Sequence, residues 1–471
     1  MIFANLFFIY LFLPLNLIFY FVTKNKTFRN IVLVVFSLFF YAWGEPVMIW
    51  VLLGSVLLDY ALALLVERCH GTWGAKAALI ASVVANLGVL GIFKYSGFLV
   101  ENLNAVLHTA IPVPQIALPI GISFYTFQML SYMVDVYRGE VAAQKNPIKF
   151  LMYVSMYHQL VAGPIVRYSD IAEEIDNRRI TATEVSRGIS RFIVGLAKKV
   201  IIANAAGVFV GQYLNGDLSN LSVAGAWFGI LMYTLQIYFD FSGYSDMAIG
   251  LGRLFGFHYL ENFNYPYIAT SVTDFWRRWH MSLSSFFRDY VYIPLGGNRR
   301  HQFFNIFVVW FLTGLWHGAS WNFILWGLYF GVLLVIEKLV MLKLLQKIPK
   351  FFSWLYLMFI VVIGWALFYF TDISRLGQFI GLLFGVGANG LFDTALGITL
   401  SSNFVWIIIA MVSALPVVPW VRKFLYDRLY EDSPVYTAIS SVQVVANVVM
   451  LGICTMLLVG QSFNPFLYYR F

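Results

Sequence analysis

Two cysteines in 471 residues, Cys69 and Cys454, lie far apart and form no CxxC pair, so neither a zinc or iron–sulfur spacing nor a disulfide framework is present. Charge is scarce too: only 11% of residues are Asp, Glu, Lys or Arg, against roughly 25% in ordinary soluble domains. No Walker A, HExxH or GxSxG sequence occurs, which sets aside P-loop nucleotide hydrolysis, zincin proteolysis and the serine nucleophile elbow. "GVGANG" at 385–390 matches GxGxxG, yet it opens no βαβ unit and has no acidic residue near 410, so it is not a dinucleotide fingerprint.

What fills the chain is apolar: 60% of residues are hydrophobic and 18% aromatic. Runs approaching the roughly 20 helical residues that cross a bilayer recur from one end to the other, which marks an all-α polytopic membrane protein. About eleven spans are expected, with some shorter buried pieces. The first stretch, "MIFANLFFIYLFLPLNLIFYFV", lacks a basic n-region and a small-residue cleavage site and is expected to stay as the first span. Later apolar stretches include about 31–43, 47–66, 77–97, 116–137, 147–166, 189–212, 222–240, 303–319, 321–342, 353–371, 376–390, 403–420 and 437–460. The net charge of +8 gathers in short loops, as the positive-inside rule expects, and calls for no nucleic acid. Lys24, Lys26 and Arg29 in "TKNKTFRN" place that loop in the cytoplasm and the N-terminus outside. The charged loop "RYSDIAEEIDNRRITATEVSR" is expected there as a short amphipathic element. No internal repeat of the kind common in transporters is visible.

Residues 239–301 depart from this pattern. They hold Asp240, Asp246, Arg253, Asp274, Arg277, Arg278, His280, Arg288, Asp289, Arg299 and Arg300, too many charges for a lipid-facing helix. Irregular backbone at membrane depth survives only where protein buries it or water reaches it, so a re-entrant or interfacial segment lining a cavity is expected. Within it, "DFWRRWHMSLSSFFRDY" puts Trp276, His280 and Ser284 on one face of a helix, with Arg277, Arg288 and Asp289 turned to water or phosphate. An interfacial helix with Trp at headgroup depth fits the same residues. "YIPLGGNRR" has a Gly296–Gly297 pair that could open the backbone to an anion, or could simply turn between helices. His317, in "FLTGLWHGASWNFILWG", is a lone imidazole in an apolar run, either bonded to a carbonyl or doing chemistry; Gly314, Gly318 and Ala319 leave room beside it for a substrate. His70, His108, His258 and His301 fall in loops or edges and read as structural.

Five stretches together, "LPIGISFYTFQMLSYMVDVYRG" (118–139), "HQLVAGPIVRY" (158–168), "YFDFSGYSDMAIGLGRLFGF" (238–257), "FWRRWHMSLSSFFRDYVYIPLGGNRR" (275–300) and "LTGLWHGASWNFILWG" (312–327), resemble the membrane-bound O-acyltransferase (MBOAT) superfamily in its bacterial alginate O-acetylation branch. The resemblance covers essentially the whole chain. It implies one integral-membrane domain over 1–471, a funnel-shaped helix bundle with re-entrant elements around a central tunnel, a central motif region at about 118–327 and an aromatic tail at 461–471. By position, His317 matches the family's catalytic histidine and His280 the second histidine of this branch. Asp240, Asp246, Arg277 and Asn298 fall within matching motifs: the two acids are expected to shape the cavity, while Arg277, Arg278, Arg288 and Asn298 are expected to hold the donor.

The activity so implied is transfer of an acetyl group from a cytoplasmic thioester, acetyl-CoA as substrate rather than bound cofactor, to a hydroxyl, with no metal required. An extracytoplasmic polysaccharide O-acetyltransferase is the expected partner, and the bacterial cytoplasmic membrane the expected location. Peptidoglycan O-acetylation and teichoic-acid D-alanylation remain alternatives within the branch, and a transporter is the alternative outside it. The C-terminal "FLYYRF" resembles a Phe-x-Tyr-x-x-Phe signature of this branch, which would make Tyr468 the acyl acceptor; an interfacial aromatic belt is the other reading.

Overall fold

The computed structural model describes residues 1–426, 434–461, 466 and 467. Among these the chain forms helices and loops and no strand, the all-α class expected. Among the described residues, eight helices are long and apolar enough to cross a bilayer: Lys26–Gly44, Ile49–Arg68, Trp73–Leu107, Ala182–Leu214, Trp321–Leu345, Lys350–Tyr369, Thr394–Ser413 and Ser441–Val459. About eleven apolar spans were expected; three of the expected stretches form shorter helices for local reasons. The 147–166 stretch is cut at Met156, whose ψ of 114° ends Pro147–Ser155 before Tyr157–Leu160 begins. The 376–390 stretch stops at Leu383, because Gly385 and Gly387 adopt φ of 87° and 74° and turn the chain away. The N-terminal stretch gives a shorter apolar helix over Phe8–Phe21.

At the centre stands Val223–Leu254, a 32-residue helix buried along almost its whole length, so that Asp240 and Asp246 sit inside protein rather than against lipid. It crosses Ala182–Ala197 at two glycine pairs seven residues apart on each helix. A Cβ on Gly250 would lie 2.7 Å from the Gly188 carbonyl, and one on Gly195 would lie 2.5 Å from the Gly243 carbonyl. Without a strong hydrophobic force between helices in lipid, such backbone approach is what packs them, and alanine at any of the four would push the pair apart. Past Ala197 the second helix widens into a π-helical stretch, Lys198–Ala203, which turns Lys198 towards Asp246 and Lys199 towards Asp240.

Of the 239–301 stretch expected to be irregular, residues 239–254 instead continue the central helix; beyond it the chain is irregular up to Gln302–His317, where Pro266–Ile268, Val272–Trp276, Met281–Phe287 and Arg288–Tyr292 are all short, and none of the stretch lines the His317 cavity. Buried Glu337 secures the start of Val272–Trp276 by accepting the N–H groups of Val272 (2.6 Å) and Thr273 (2.9 Å), two orphan donors of a helix N-terminus.

Candidate active site

His317 is the last residue of Gln302–His317 and is 95% buried. Its ring meets Trp326 and Phe368 nearly edge-on, at 4.9 and 5.2 Å between centroids, within an aromatic wall that also includes Trp316. On its open side lies a cavity of about 80 Å³ lined by Lys94, the 118–124 segment, Val161, Trp316, His317 and Phe466. Gly121 allows the 118–124 wall to exist. It adopts φ of 76°, and a Cβ there would lie 2.5 Å from the Leu160 carbonyl.

The glycines beside His317 do something other than expected. A Cβ on Gly314 would collide with the Phe323 carbonyl, and one on Gly318 with the Phe323 ring. The space they leave is therefore filled by the next helix, Trp321–Ile336, and neither glycine lines the His317 cavity.

His280 also departs from its expected setting. Trp276, His280 and Ser284 do not share a helical face, because the chain leaves helix after Trp276 and re-enters it at Met281, with His280 at φ of 45°. Asn262 causes the break. Its carbonyl oxygen accepts from the Met281 N–H (3.0 Å), and its side-chain Oδ1 accepts from the Ser282 N–H (3.2 Å) and Ser282 Oγ (2.9 Å). His280 Nδ1 lies 3.1 Å from the same Oδ1. Since a backbone N–H already identifies Oδ1 as an acceptor, Nδ1 carries the hydrogen and Nε2 presents its lone pair. Nε2 is buried and has no hydrogen-bond partner among the described residues. The Trp316 ring contacts both imidazoles, at 5.8 Å from His280 and 5.0 Å from His317, but only His317 lines the cavity. Trp276 is buried against Trp310 and Phe330 rather than exposed to lipid.

The arginine face is mostly occupied by acids. Arg278 Nε bonds Asp274 at 2.9 Å, and Arg288 Nε bonds Asp289 at 2.6 Å. Asp289 also takes Arg167 at 2.9 Å; burial pushes its carboxyl up, but the hydrogen bonds from Arg288 and Arg167 outweigh this and hold it below the usual carboxylate range. Arg277 is exposed and enters no ion pair seen among the described residues. Asn298 Oδ1 accepts from Tyr292 (2.8 Å) and Gln302 (2.5 Å), pinning the turn before the histidine helix. None of these four residues lines the His317 cavity.

Asp240 and Asp246 are buried in ion pairs, Asp240 with Lys199 at 2.5 Å and Asp246 with Lys198 and Arg191 at 2.6 Å each. Asp240 Oδ2 also accepts the Leu467 N–H at 2.7 Å, which seats Phe466 against Tyr244 and Phe241 and brings it into the cavity wall. Neither Asp240 nor Asp246 lines the cavity itself. Tyr468 itself lies outside the described residues. Asn262 and Lys94 were not anticipated. Asn262 carries no signal beyond being one polar residue in an aromatic loop, whereas Lys94 is a lone cation within an apolar run, a pattern that by itself marks a functional position.

The MBOAT, membrane-bound O-acyltransferase, family model matches residues 138–379. A probable alginate O-acetylase AlgI from Pseudomonas putida is 36% identical over the full length of both chains. One of the same name from Pseudomonas aeruginosa is 42% identical over 78% of this chain and 72% of its own. A peptidoglycan O-acetyltransferase from Helicobacter pylori is 34% identical over 82% of this chain and 79% of its own.

Proposed function

Because this chain belongs to the membrane-bound O-acyltransferase family and is a multi-pass O-acyltransferase, we propose that it carries acetyl groups from a cytoplasmic thioester, acetyl-CoA, across the bacterial cytoplasmic membrane for O-acetylation of an extracellular polysaccharide. The observation that supports this reading is the cavity whose wall holds both His317 and Phe466, a residue of the C-terminal aromatic tail. A thioester is already activated, and the protein has only to orient two reactants and remove one proton.

His317 takes the proton from the attacking hydroxyl as it adds to the thioester carbonyl, and later returns it to the departing thiolate. His280, whose ring packs on Trp316 beside His317, positions or relays that proton. Tyr468 is the first acceptor: its phenolic oxygen takes the acetyl as an aryl ester, which leaves more readily than an alkyl ester and so keeps the group activated. An extracytoplasmic polysaccharide O-acetyltransferase then receives it. Arg277, the arginine without an acid beside it, meets the donor's phosphates, with Arg278 and Arg288 held in reserve by Asp274 and Asp289.

The test is to purify the protein, supply acetyl-CoA labelled in the acetyl group, and follow label onto the chain and then onto polymer. His317→Ala is expected to slow transfer about 100- to 10,000-fold while the protein still elutes as a folded species. Near-normal transfer by that variant overturns the assignment.

A further inference from the structure

We propose that Lys94 is a second catalytic group of the His317 cavity, its ammonium donating a hydrogen bond to the acyl oxygen as that oxygen becomes an anion. The inference rests on the acetyl-transfer reading above and adds to it the electrophilic half of the site.

Lys94 lies inside the membrane-spanning helix Trp73–Leu107, on the wall of the same cavity as His317. A cation in so apolar a helix is costly, and such positions are functional hypotheses by default. Its Nζ donates to the Trp316 carbonyl and to Ser123 Oγ at 3.3 Å, and it enters no ion pair among the described residues. An ammonium has three N–H donors, so one is left for the cavity.

Capping the end of the histidine helix does not by itself account for the charge. The neighbouring Tyr95 hydroxyl caps the Leu315 carbonyl of the same helix, showing that a neutral donor does that work there. What a fixed positive charge adds is attraction for negative charge, and the reaction generates it within this space. As the acceptor oxygen bonds to the thioester carbon, the carbonyl π pair moves onto oxygen and His317 takes the hydroxyl proton. The oxyanion then re-forms the C=O bond, the C–S bond breaks, and the thiolate leaves with the proton from His317. Charge on the acyl oxygen exists only between these two events. A donor already held in place, by Trp316 and Ser123, stabilises it without reorganising. The helix Ile122–Arg138 begins at the same wall, with Gly121, Ile122 and Ser123 lining the cavity, and its N-terminal end adds positive potential to that of the lysine.

The experiment compares full-length wild-type protein with Lys94→Met and Lys94→Arg, all in lipid nanodiscs. One arm measures kcat and donor KM with labelled acetyl-CoA. The other measures binding of two non-transferable acetyl-CoA analogues in which the thioester is replaced by a methyl ketone or a trifluoromethyl ketone; the latter adds a hydroxyl readily and becomes an oxyanion. In Lys94→Met, kcat is expected to fall about 100- to 1,000-fold with donor KM within about threefold of wild type. The preference of wild type for the trifluoromethyl ketone is expected to vanish in Lys94→Met and to survive partly in Lys94→Arg. The inference is overturned if Lys94→Met keeps kcat within about twofold. It is equally overturned if kcat falls while the ketone preference stays whole, for then the lysine serves only to hold the helix end. The ketone comparison needs no turnover, whereas the wild-type transfer assay reads the acetyl-transfer assignment alone.

Discussion

Leu467 donates its backbone N–H to Asp240 Oδ2 at 2.7 Å, across 227 positions of sequence. Asp240 is charge-compensated by Lys199 at 2.5 Å, so one buried carboxylate both balances a lysine of the π-helical stretch and holds the end of the chain. Removing that carboxylate has two separable effects. Asp240→Ala strips Lys199 of its pair, and breaking a buried pair from one side costs about 3–5 kcal/mol. The double variant Asp240→Leu/Lys199→Met removes both charges and is expected to recover most of the thermal stability. It still lacks the acceptor for the Leu467 N–H, so acetyl transfer is expected to stay at least about tenfold below wild type. Full activity in the stable double variant would show that the tail reaches the cavity without Asp240.

For His280 the relevant partner is Asn262, which sets the imidazole tautomer through Nδ1. His280→Ala is expected to cut transfer strongly, though less than His317→Ala. Asn262→Ala leaves His280 in place but frees its ring and strands the Ser282 N–H, so a loss of about 1–3 kcal/mol in stability is expected together with reduced transfer. Wild-type kcat in His280→Ala would reduce that ring to packing.

Gly318→Ala places a methyl group against the Phe323 ring, and Gly314→Ala places one against the Phe323 carbonyl. Overpacking of this kind typically costs about 1–3 kcal/mol, and here it would also shift the helix end that carries His317. Both variants are expected to melt lower and transfer more slowly, with donor KM little changed. A Gly318→Ala protein as stable as wild type would mean that Phe323 swings aside freely.

That pair of glycines also shows where sequence reasoning ends. Their smallness is plain in "LTGLWHGAS", but smallness does not say what occupies the space, and the occupant, Phe323, approaches from the neighbouring helix. The same holds at His280. Periodicity over 275–291 favours a continuous helix, and the competitor that breaks it, Asn262, stands 18 residues earlier and acts through hydrogen bonds that no local pattern encodes. Hydropathy finds the outer helices well, because lipid demands an apolar surface from them. It says less where stretches such as 147–166 are apolar because they are buried in protein, and there the chain breaks into shorter helices. His317 stood out in the sequence because a lone imidazole in an apolar run is costly to bury without a partner. Lys94 satisfies the same criterion.

Tyr468 follows directly on Leu467 in the sequence, and the two residues before it, Phe466 and Leu467, are held at the His317 cavity and at Asp240. An aromatic belt at headgroup depth does not require a buried Phe466 or a hydrogen bond to an intramembrane carboxylate. An acceptor delivered to the base requires an anchor of this sort just before it. Replacement by phenylalanine separates the two readings, since Tyr468→Phe keeps the ring and most of its apolar area and removes only the nucleophilic oxygen. With labelled acetyl-CoA, wild-type protein is expected to acquire covalent label on its C-terminal peptide. Tyr468→Phe is expected to acquire none and to lose polymer acetylation, while Tyr469→Phe retains both. Equal, near-normal acetylation in the two variants would leave Phe466 as an anchor for packing alone and would require the acceptor hydroxyl to come from outside this chain.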